Sequence, residues 1–192
     1  AVLKDGEDYY MLHAGQPLVW HSKDLLHWEP LYEFPYSKEM GFGANDICKV
    51  GDTYYLYNFS PYIRDDNDYK SSSVWVAITK NIRRGIWEGP YYVGPAFNLL
   101  NDRELIDPGH YIDPDGKRWL FMSDNILFPL TDDGLHFAGP GKRIIPDEVL
   151  PDDWEIQGIY TEGPRMFYKD GYCYLTVAVG GTEGPPTSHG IF

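Results

Sequence analysis

One short sequence pattern recurs four times in this chain, and it constrains the fold more than any other feature. Each copy is a turn containing Gly or Asp followed by an aromatic, β-prone run. The copies read DGEDYYML from Asp5, VGDTYYLY from Val50, PDGKRWLF from Pro114 and KDGYCYLT from Lys169. Such turn dipeptides before an apolar run are the sequence signal of a β-hairpin. The chain is therefore predicted to be all-β.

A second landmark, an aromatic residue, follows the first three hairpins. It lies in DLLHWEP at Trp28, in GIWEGP at Trp87 and in DGLHFAGP at Phe137. The hairpins themselves recur at intervals of 45, 64 and 55 residues. A repeat that averages about 55 residues and is made of short strands is typical of a β-propeller blade. A β-sandwich is the alternative, but it would not repeat two landmarks in the same order at this spacing.

The chain length limits how many blades it can supply. At about 55 residues per blade, 192 residues make about 3.5 blades, and a closed propeller needs about four or more. We therefore expect residues 1–192 to form a single partial propeller domain, incomplete at both termini. A missing segment or a second polypeptide would complete the ring.

Composition excludes some partners. The chain has 16 Lys and Arg against 29 Asp and Glu, a net charge of −13, whereas nucleic acids and anionic membranes select basic surfaces. No apolar run approaches the roughly 20 residues of a membrane span. Aromatic residues make up 16% of the chain, which is consistent both with sheet packing and with stacking against sugar rings.

Two carboxylates occupy the same position in neighbouring blades. Asp107 lies nine residues before Gly116, and Glu162 lies nine residues before Gly171. A proline follows each carboxylate within two residues, which predicts a rigid, extended entry to the first strand of each hairpin. Convergent carboxylates are what glycoside hydrolysis requires. Turn capping and ion pairing with arginine remain the alternative roles.

Four runs of the sequence resemble glycoside hydrolase family 43. They are HSKDLLHWEP, ANDICKVGDTYYLY, LIDPGHYIDPDGKRWLF and EGPRMFYKDGYCYLTVAVGGT. The resemblance implies a five-bladed β-propeller and an inverting glycosidase of the α-L-arabinofuranosidase or β-xylosidase type. Its substrates would be plant glycans containing arabinose, xylose or galactose. By the same resemblance, Glu162 is the general acid, and Asp107 is the aspartate that orients the acid and tunes its pKa.

The general base is the main departure from the family pattern. The resemblance places that aspartate two positions before Ala1, outside residues 1–192. A non-catalytic, carbohydrate-binding propeller fragment is therefore the alternative function. A related clan of retaining propeller glycosidases is a further alternative.

Other residues are candidates for substrate contact. Asp46 ends the run Gly-Ala-Asn-Asp, where the family often has Trp-Ala-Pro-Asp, and it either contacts substrate or supports neighbouring strands. Trp20, Phe42 and Tyr160 are predicted near inner positions, where they line the sugar site or pack in the core.

One histidine is a candidate metal contact. His189 follows a Gly-Gly-Thr segment, and in the resembled family a histidine there often lies near the propeller axis, beside a calcium ion or a water cluster. We expect any such calcium ion to be structural and no cofactor to be required. The other five histidines are expected in turns or at the surface. Secretion or a periplasmic location is favoured, because hydrolases of plant glycans are commonly exported.

Overall fold

The structure, a computed structural model, describes residues 1–60, 72–98, 103–144, 161–179 and 190–191. Within these ranges the chain is mostly antiparallel β-sheet. It divides into two compact units, Ala1–Glu104 and Leu105–Phe192, which are described in turn. The single domain expected over residues 1–192 stays a prediction.

The first sheet of the first unit contains four antiparallel strands in chain order. They are β1 (Val2–Asp5), β2 (Asp8–His13), β3 (Gln16–Ser22) and β4 (Glu29–Glu33). The two-residue loop between β1 and β2 begins with Gly6, whose φ of 61° suits the first position of a type II′ turn. The landmark Trp28 lies directly before β4, at the outer edge of the sheet.

A second sheet follows a short helix, α1 (Ser37–Met40). Its strands, again in chain order, are β5 (Asn45–Val50), β6 (Thr53–Ser60), β7 (Ser73–Thr79) and β8 (Glu88–Pro95). A 3-10 helix, Ile82–Arg84, lies between β7 and β8. The short strands β9 (Phe97–Asn98) and β10 (Arg103–Glu104) pair with each other.

The aromatic landmark before β8 belongs to the core of the first unit. Trp87 is buried, and its ring meets Phe34 edge-on at 5.3 Å. Its indole N–H donates to the Tyr32 hydroxyl at 3.1 Å, and that hydroxyl donates to the carbonyl of Ile82 at 2.5 Å. Burial raises the pKa of Tyr32 to about 12, so the hydroxyl keeps its proton for this bond. Burying each of these rings contributes about 1.5–3 kcal/mol.

The second unit begins with another sheet of four strands in chain order. They are β11 (Gly109–Ile112), β12 (Arg118–Met122), β13 (Ile126–Pro129) and β14 (Lys142–Arg143). A 3-10 turn, Ser123–Asn125, connects β12 to β13. The landmark Phe137 precedes β14 and stacks on Phe128, with ring centres 4.2 Å apart.

The last sheet contains β15 (Thr161–Lys169), β16 (Tyr172–Val179) and β17 (Gly190–Ile191) among the described strands. Asp170 and Gly171 join β15 to β16, and both have positive φ angles, 52° and 86°. Positive φ at both positions of a two-residue loop defines a type I′ turn. The ladder is shifted by a bulge between Glu162 and Arg165.

The four predicted hairpins are confirmed. They are β1–β2, β5–β6, β11–β12 and β15–β16, each with its turn at the repeated Gly- and Asp-containing motif. In the three sheets that carry an aromatic landmark, the landmark precedes the outermost strand. Within the described ranges, no helix has the length and apolar character needed to cross a membrane.

The expectation that the unassigned histidines lie in turns or at the surface is wrong for His21. It is buried in β3, with Nε2 2.5 Å from Asp8 Oδ1 and Nδ1 2.9 Å from Glu29 Oε1. A carboxylate at each ring nitrogen compensates for the loss of water. His110 also departs from the expectation, because it lies half-buried in β11.

Candidate active site

The segment around Glu162 combines a strand end with a bulge. Glu162 is half-buried and pairs with Ala178 across β15 and β16. Gly163 follows with a φ of 57°, a left-handed conformation that glycine adopts at low cost. Pro164 has no N–H to give to the ladder. Bulges of this kind occur near active sites because they redirect neighbouring side chains.

Asp107 occupies a matching place in the preceding sheet, two residues before β11. Its φ is also 57°, and aspartate is among the few residues other than glycine that visit this region. The predicted extended entry is therefore wrong at Asp107. A proline normally disfavours helical backbone at the residue before it. The hydrogen bond from Gly163, far along the chain, holds Asp107 in this conformation.

A hydrogen bond joins the two segments. The backbone N–H of Gly163 donates to Asp107 Oδ2 at 2.9 Å. This amide is available because the bulge shifts the ladder there. The structure thus brings the Asp107 carboxylate to the residue directly after Glu162.

The turn after β12 supports the same site. Ser123 bonds to Ile106, the residue before Asp107, through both its backbone N–H and its side-chain oxygen. The next two residues of the turn, Asp124 and Asn125, are buried and have positive φ angles of 57° and 58°. The turn packs against β15. Strained backbone of this kind persists where the surroundings fix it, commonly at functional sites.

The structure places three further predicted residues in the first unit. Asp46 is buried in β5 and pairs with Tyr57. Phe42 is half-buried, with its ring 5.8 Å from that of Phe34. Trp20 lies in β3, the third strand of its sheet rather than the first. A substrate-binding role for these three residues stays a prediction.

Phe42 borders a surface cavity of about 330 Å³. The cavity is also lined by Gly15, Ser37, Lys38 and Gly41. Phe42 therefore both packs against core residues and reaches a concave surface, so both alternatives from the sequence remain open for it.

Two predicted residues, Tyr160 and His189, lie outside the described residues. Across the part of the chain that the structure describes, no three His, Cys, Asp or Glu side chains form a group that could hold a metal ion. The structural calcium ion stays a prediction, and no step proposed below depends on it.

Sequence reasoning did not assign Gly109, Ser123 and Arg165, which hold the segments of the site. A local signal existed for two of them, because Gly109 ends an Asp-Pro-Gly sequence and Arg165 directly follows Gly-Pro. Their partners lie far along the chain, so the pattern alone could not reveal the contacts.

A sequence model of glycosyl hydrolases family 43 matches residues 1–190. The chain belongs to glycosyl hydrolases family 43. It is 25% identical to xylosidase/arabinosidase 43B of Humicola insolens, over 95% of this chain and 36% of that protein. It is 27% identical to the non-reducing end α-L-arabinofuranosidase BoGH43B of Bacteroides ovatus, over 95% of this chain and 34% of that protein. The family 43 chain thus spans about a third of the length of these relatives.

Solved structures agree on the fold. A variant of the GH43 protein BlXynB from Bacillus licheniformis superimposes with a TM-score of 0.74 at 24% identity, covering 100% of this chain and 37% of that chain. The fold class predicted for this family 43 chain is confirmed: it is all-β, built of antiparallel sheets, and it matches part of a β-propeller.

Proposed function

We propose that the protein containing this chain is a glycosidase that hydrolyses O-glycosyl bonds with inversion. Its substrates would be oligosaccharides or polysaccharides of plants that contain arabinose, xylose or galactose. Family membership supports this proposal, as do relatives named xylosidase/arabinosidase and α-L-arabinofuranosidase. The type of activity proposed is accordingly α-L-arabinofuranosidase or β-xylosidase.

The observation that carries the proposal is the bond between the Gly163 N–H and Asp107 Oδ2 at 2.9 Å. It holds one carboxylate against the backbone next to another, Glu162. Two carboxyl groups held close together with different environments can take different protonation states, which is the requirement for acid catalysis of glycoside cleavage.

Glu162 is proposed as the general acid. The negative charge of Asp107 and partial burial would raise the pKa of Glu162, so that it keeps its proton near neutral pH. Glu162 would give this proton to the glycosidic oxygen as the bond to the sugar breaks. A second carboxylate would deprotonate the attacking water, and that base is not assigned to a residue of this chain.

The test compares Glu162→Gln with the wild type in the intact protein that contains residues 1–192. Hydrolysis of an unactivated arabino- or xylo-oligosaccharide should fall about 10²–10⁴-fold, because proton donation contributes that much. An aryl glycoside with a good leaving group should lose much less, since it leaves without a proton. Glu33→Gln, an exposed glutamate at the end of β4, is the matched control and should keep full activity.

Three outcomes would contradict the proposal in different ways. Full activity of Glu162→Gln on the oligosaccharide would remove Glu162 from the acid role. Binding of oligosaccharide without release of sugar by the wild type would favour the carbohydrate-binding alternative. Proton NMR gives the anomeric configuration of the product that forms first. Retention of the configuration would exclude inversion.

A further inference from the structure

One guanidinium nitrogen bonds to both segments that carry the proposed catalytic carboxylates. Nη1 of Arg165 donates to the carbonyl oxygen of Pro108 at 3.1 Å and to that of Pro164 at 2.8 Å. An arginine Nη1 carries two hydrogens, so both bonds can form together. Pro108 directly follows Asp107, and Pro164 lies two residues after Glu162. Arg165 therefore ties the Asp107 segment to the Glu162 segment.

The two carbonyl groups need such a donor. Pro108 and Pro164 are both buried, and Pro164 lies within the bulge, where the ladder between β15 and β16 is shifted. A buried carbonyl oxygen is normally paired, because leaving it without a donor costs free energy. The planar guanidinium offers its hydrogens in a fixed geometry, whereas a lysine ammonium does not.

Gly109 allows the two segments to approach this closely. A Cβ atom at position 109 would lie 2.4 Å from the carbonyl oxygen of Pro164 and 2.9 Å from Arg165 Nη1. The Arg165 side chain could move aside, but the Pro164 oxygen belongs to the backbone, so any larger residue at position 109 would force the segments apart. The contact between Pro108–Gly109 and Pro164–Arg165 is therefore a close backbone crossing held by the arginine.

We propose that Arg165 is a positioning residue that sets the separation and orientation of the Asp107 and Glu162 carboxyl groups without touching the substrate. This inference rests on the proposed function. The interaction between two carboxyl groups weakens with distance. If the crossing loosens, Asp107 therefore acts less strongly on the protonation of Glu162.

The experiment measures kcat/KM against pH for Arg165→Met and Arg165→Lys in the intact protein that contains residues 1–192. The alkaline limb of this profile reports the ionisation of the general acid. We expect it to move to lower pH by about 0.5–1 unit in Arg165→Lys, which keeps the positive charge and loosens only the crossing, with kcat about 10-fold lower and KM little changed. Arg165→Met also removes the positive charge, which by itself raises the pKa of a nearby carboxyl group, so only its loss of kcat is compared. Arg84→Lys, at an exposed arginine, is the matched control.

A purely structural role predicts a different result. It would lower the melting temperature and the active fraction while the alkaline limb stays in place, and that outcome overturns the proposal. If the wild type hydrolyses no glycoside, or Glu162→Gln keeps full activity, the proposed function fails instead.

A second readout does not depend on activity. Carbon-13 NMR of labelled glutamate carboxyl groups gives the pKa of Glu162, with its signal assigned by its loss in Glu162→Gln. We expect a lower pKa in Arg165→Lys than in the wild type, and an equal pKa would overturn the proposal. Should Arg165→Lys fail to fold, Gly109→Ala, which disturbs the crossing without changing a charge, is titrated in its place, with a shift of the same sign expected.

Discussion

Ile106 and Ser123 bond to each other in both directions. The backbone N–H of Ser123 donates to the Ile106 carbonyl at 2.9 Å, and the Ser123 side-chain oxygen accepts the Ile106 N–H at 2.9 Å. Ile106 directly precedes Asp107. The backbone that carries Asp107 is thus held by Ser123 on one side and by Arg165 on the other.

Removing the Ser123 hydroxyl should loosen this backbone. In Ser123→Ala the Ile106 N–H loses its acceptor in a partly buried position, and we expect the free energy of unfolding to fall by about 1–2 kcal/mol. Urea denaturation followed by circular dichroism measures the change. Ser37→Ala, in α1, is the control and should change the unfolding free energy by less than about 0.5 kcal/mol. Equal losses in the two variants would contradict the role given to Ser123.

The close crossing at Gly109 predicts a steric effect. In Gly109→Ala the new Cβ would meet the Pro164 carbonyl oxygen at 2.4 Å, a backbone atom that cannot rotate away. We expect a loss of about 1–3 kcal/mol in unfolding free energy, the usual cost of overpacking. At Gly139 an added Cβ would meet only Pro129 Cγ, at 3.5 Å. Gly139→Ala should therefore be nearly neutral, and a Gly109→Ala variant as stable as Gly139→Ala would show that the segments can separate freely.

Local patterns were enough to predict much of the fold. The turns at Gly6 and Gly171 could be predicted because two-residue hairpin loops require particular backbone conformations. The position of Trp87 could be predicted because an aromatic residue recurs after each of the first three hairpins. Asp107 and Glu162 lie at the same distance along the chain from their hairpin turns. This equal spacing correctly indicated that their segments meet in the structure. These features depend on residues close together in the chain.

The parts that could not be predicted depend on distant partners. Asp107 adopts a left-handed conformation while its carboxylate bonds to Gly163, 56 residues later. The buried position of His21 depends on Asp8 and Glu29, which lie on the neighbouring strands β2 and β4. No pattern around a single residue contains this information, because the pairing of strands and the crossing of segments decide it.

Asp5 should stabilise the first unit in a pH-dependent way. It accepts hydrogen bonds from Lys49 Nζ at 2.7 Å and from the Tyr54 hydroxyl. The bond from Lys49, followed by that from Tyr54, lowers the pKa of Asp5. Its stabilising effect is therefore present above the unfolded pKa of about 4 and is lost as the pH falls through the lower folded value.

Asp5→Asn should accordingly lose up to about 1 kcal/mol of unfolding free energy at pH 7, a modest figure because the pair is partly exposed to solvent. The difference from the wild type should shrink between about pH 5 and pH 3. Urea denaturation at pH 7, 5 and 3.5 measures it, with Glu7→Gln in the same turn as the control. A difference that stays constant with pH would mean that the carboxylate charge is not involved.

His110 should make the second unit less stable in acid. Its Nε2 accepts a hydrogen bond from Arg118 Nε at 3.1 Å, and burial, assisted by the positive charge of Arg118, lowers the pKa of His110 to about 3. The histidine of the unfolded chain has a pKa of about 6.5. Between about pH 6.5 and pH 3 the unfolded chain therefore binds a proton at this residue that the folded protein does not bind. Unfolding free energy must therefore fall as the pH drops from about 6.5 towards 3.

His110→Gln removes this proton uptake while a side-chain oxygen can still accept the Arg118 N–H. Between pH 7 and pH 4.5 we expect the wild type to lose about 2 kcal/mol more unfolding free energy than the variant. Chemical denaturation at both pH values measures the two losses, and His136→Gln, at an exposed position, should behave as the wild type does. Parallel losses in the wild type and His110→Gln would mean that His110 takes up its proton in the folded state, and that burial beside Arg118 does not keep it neutral.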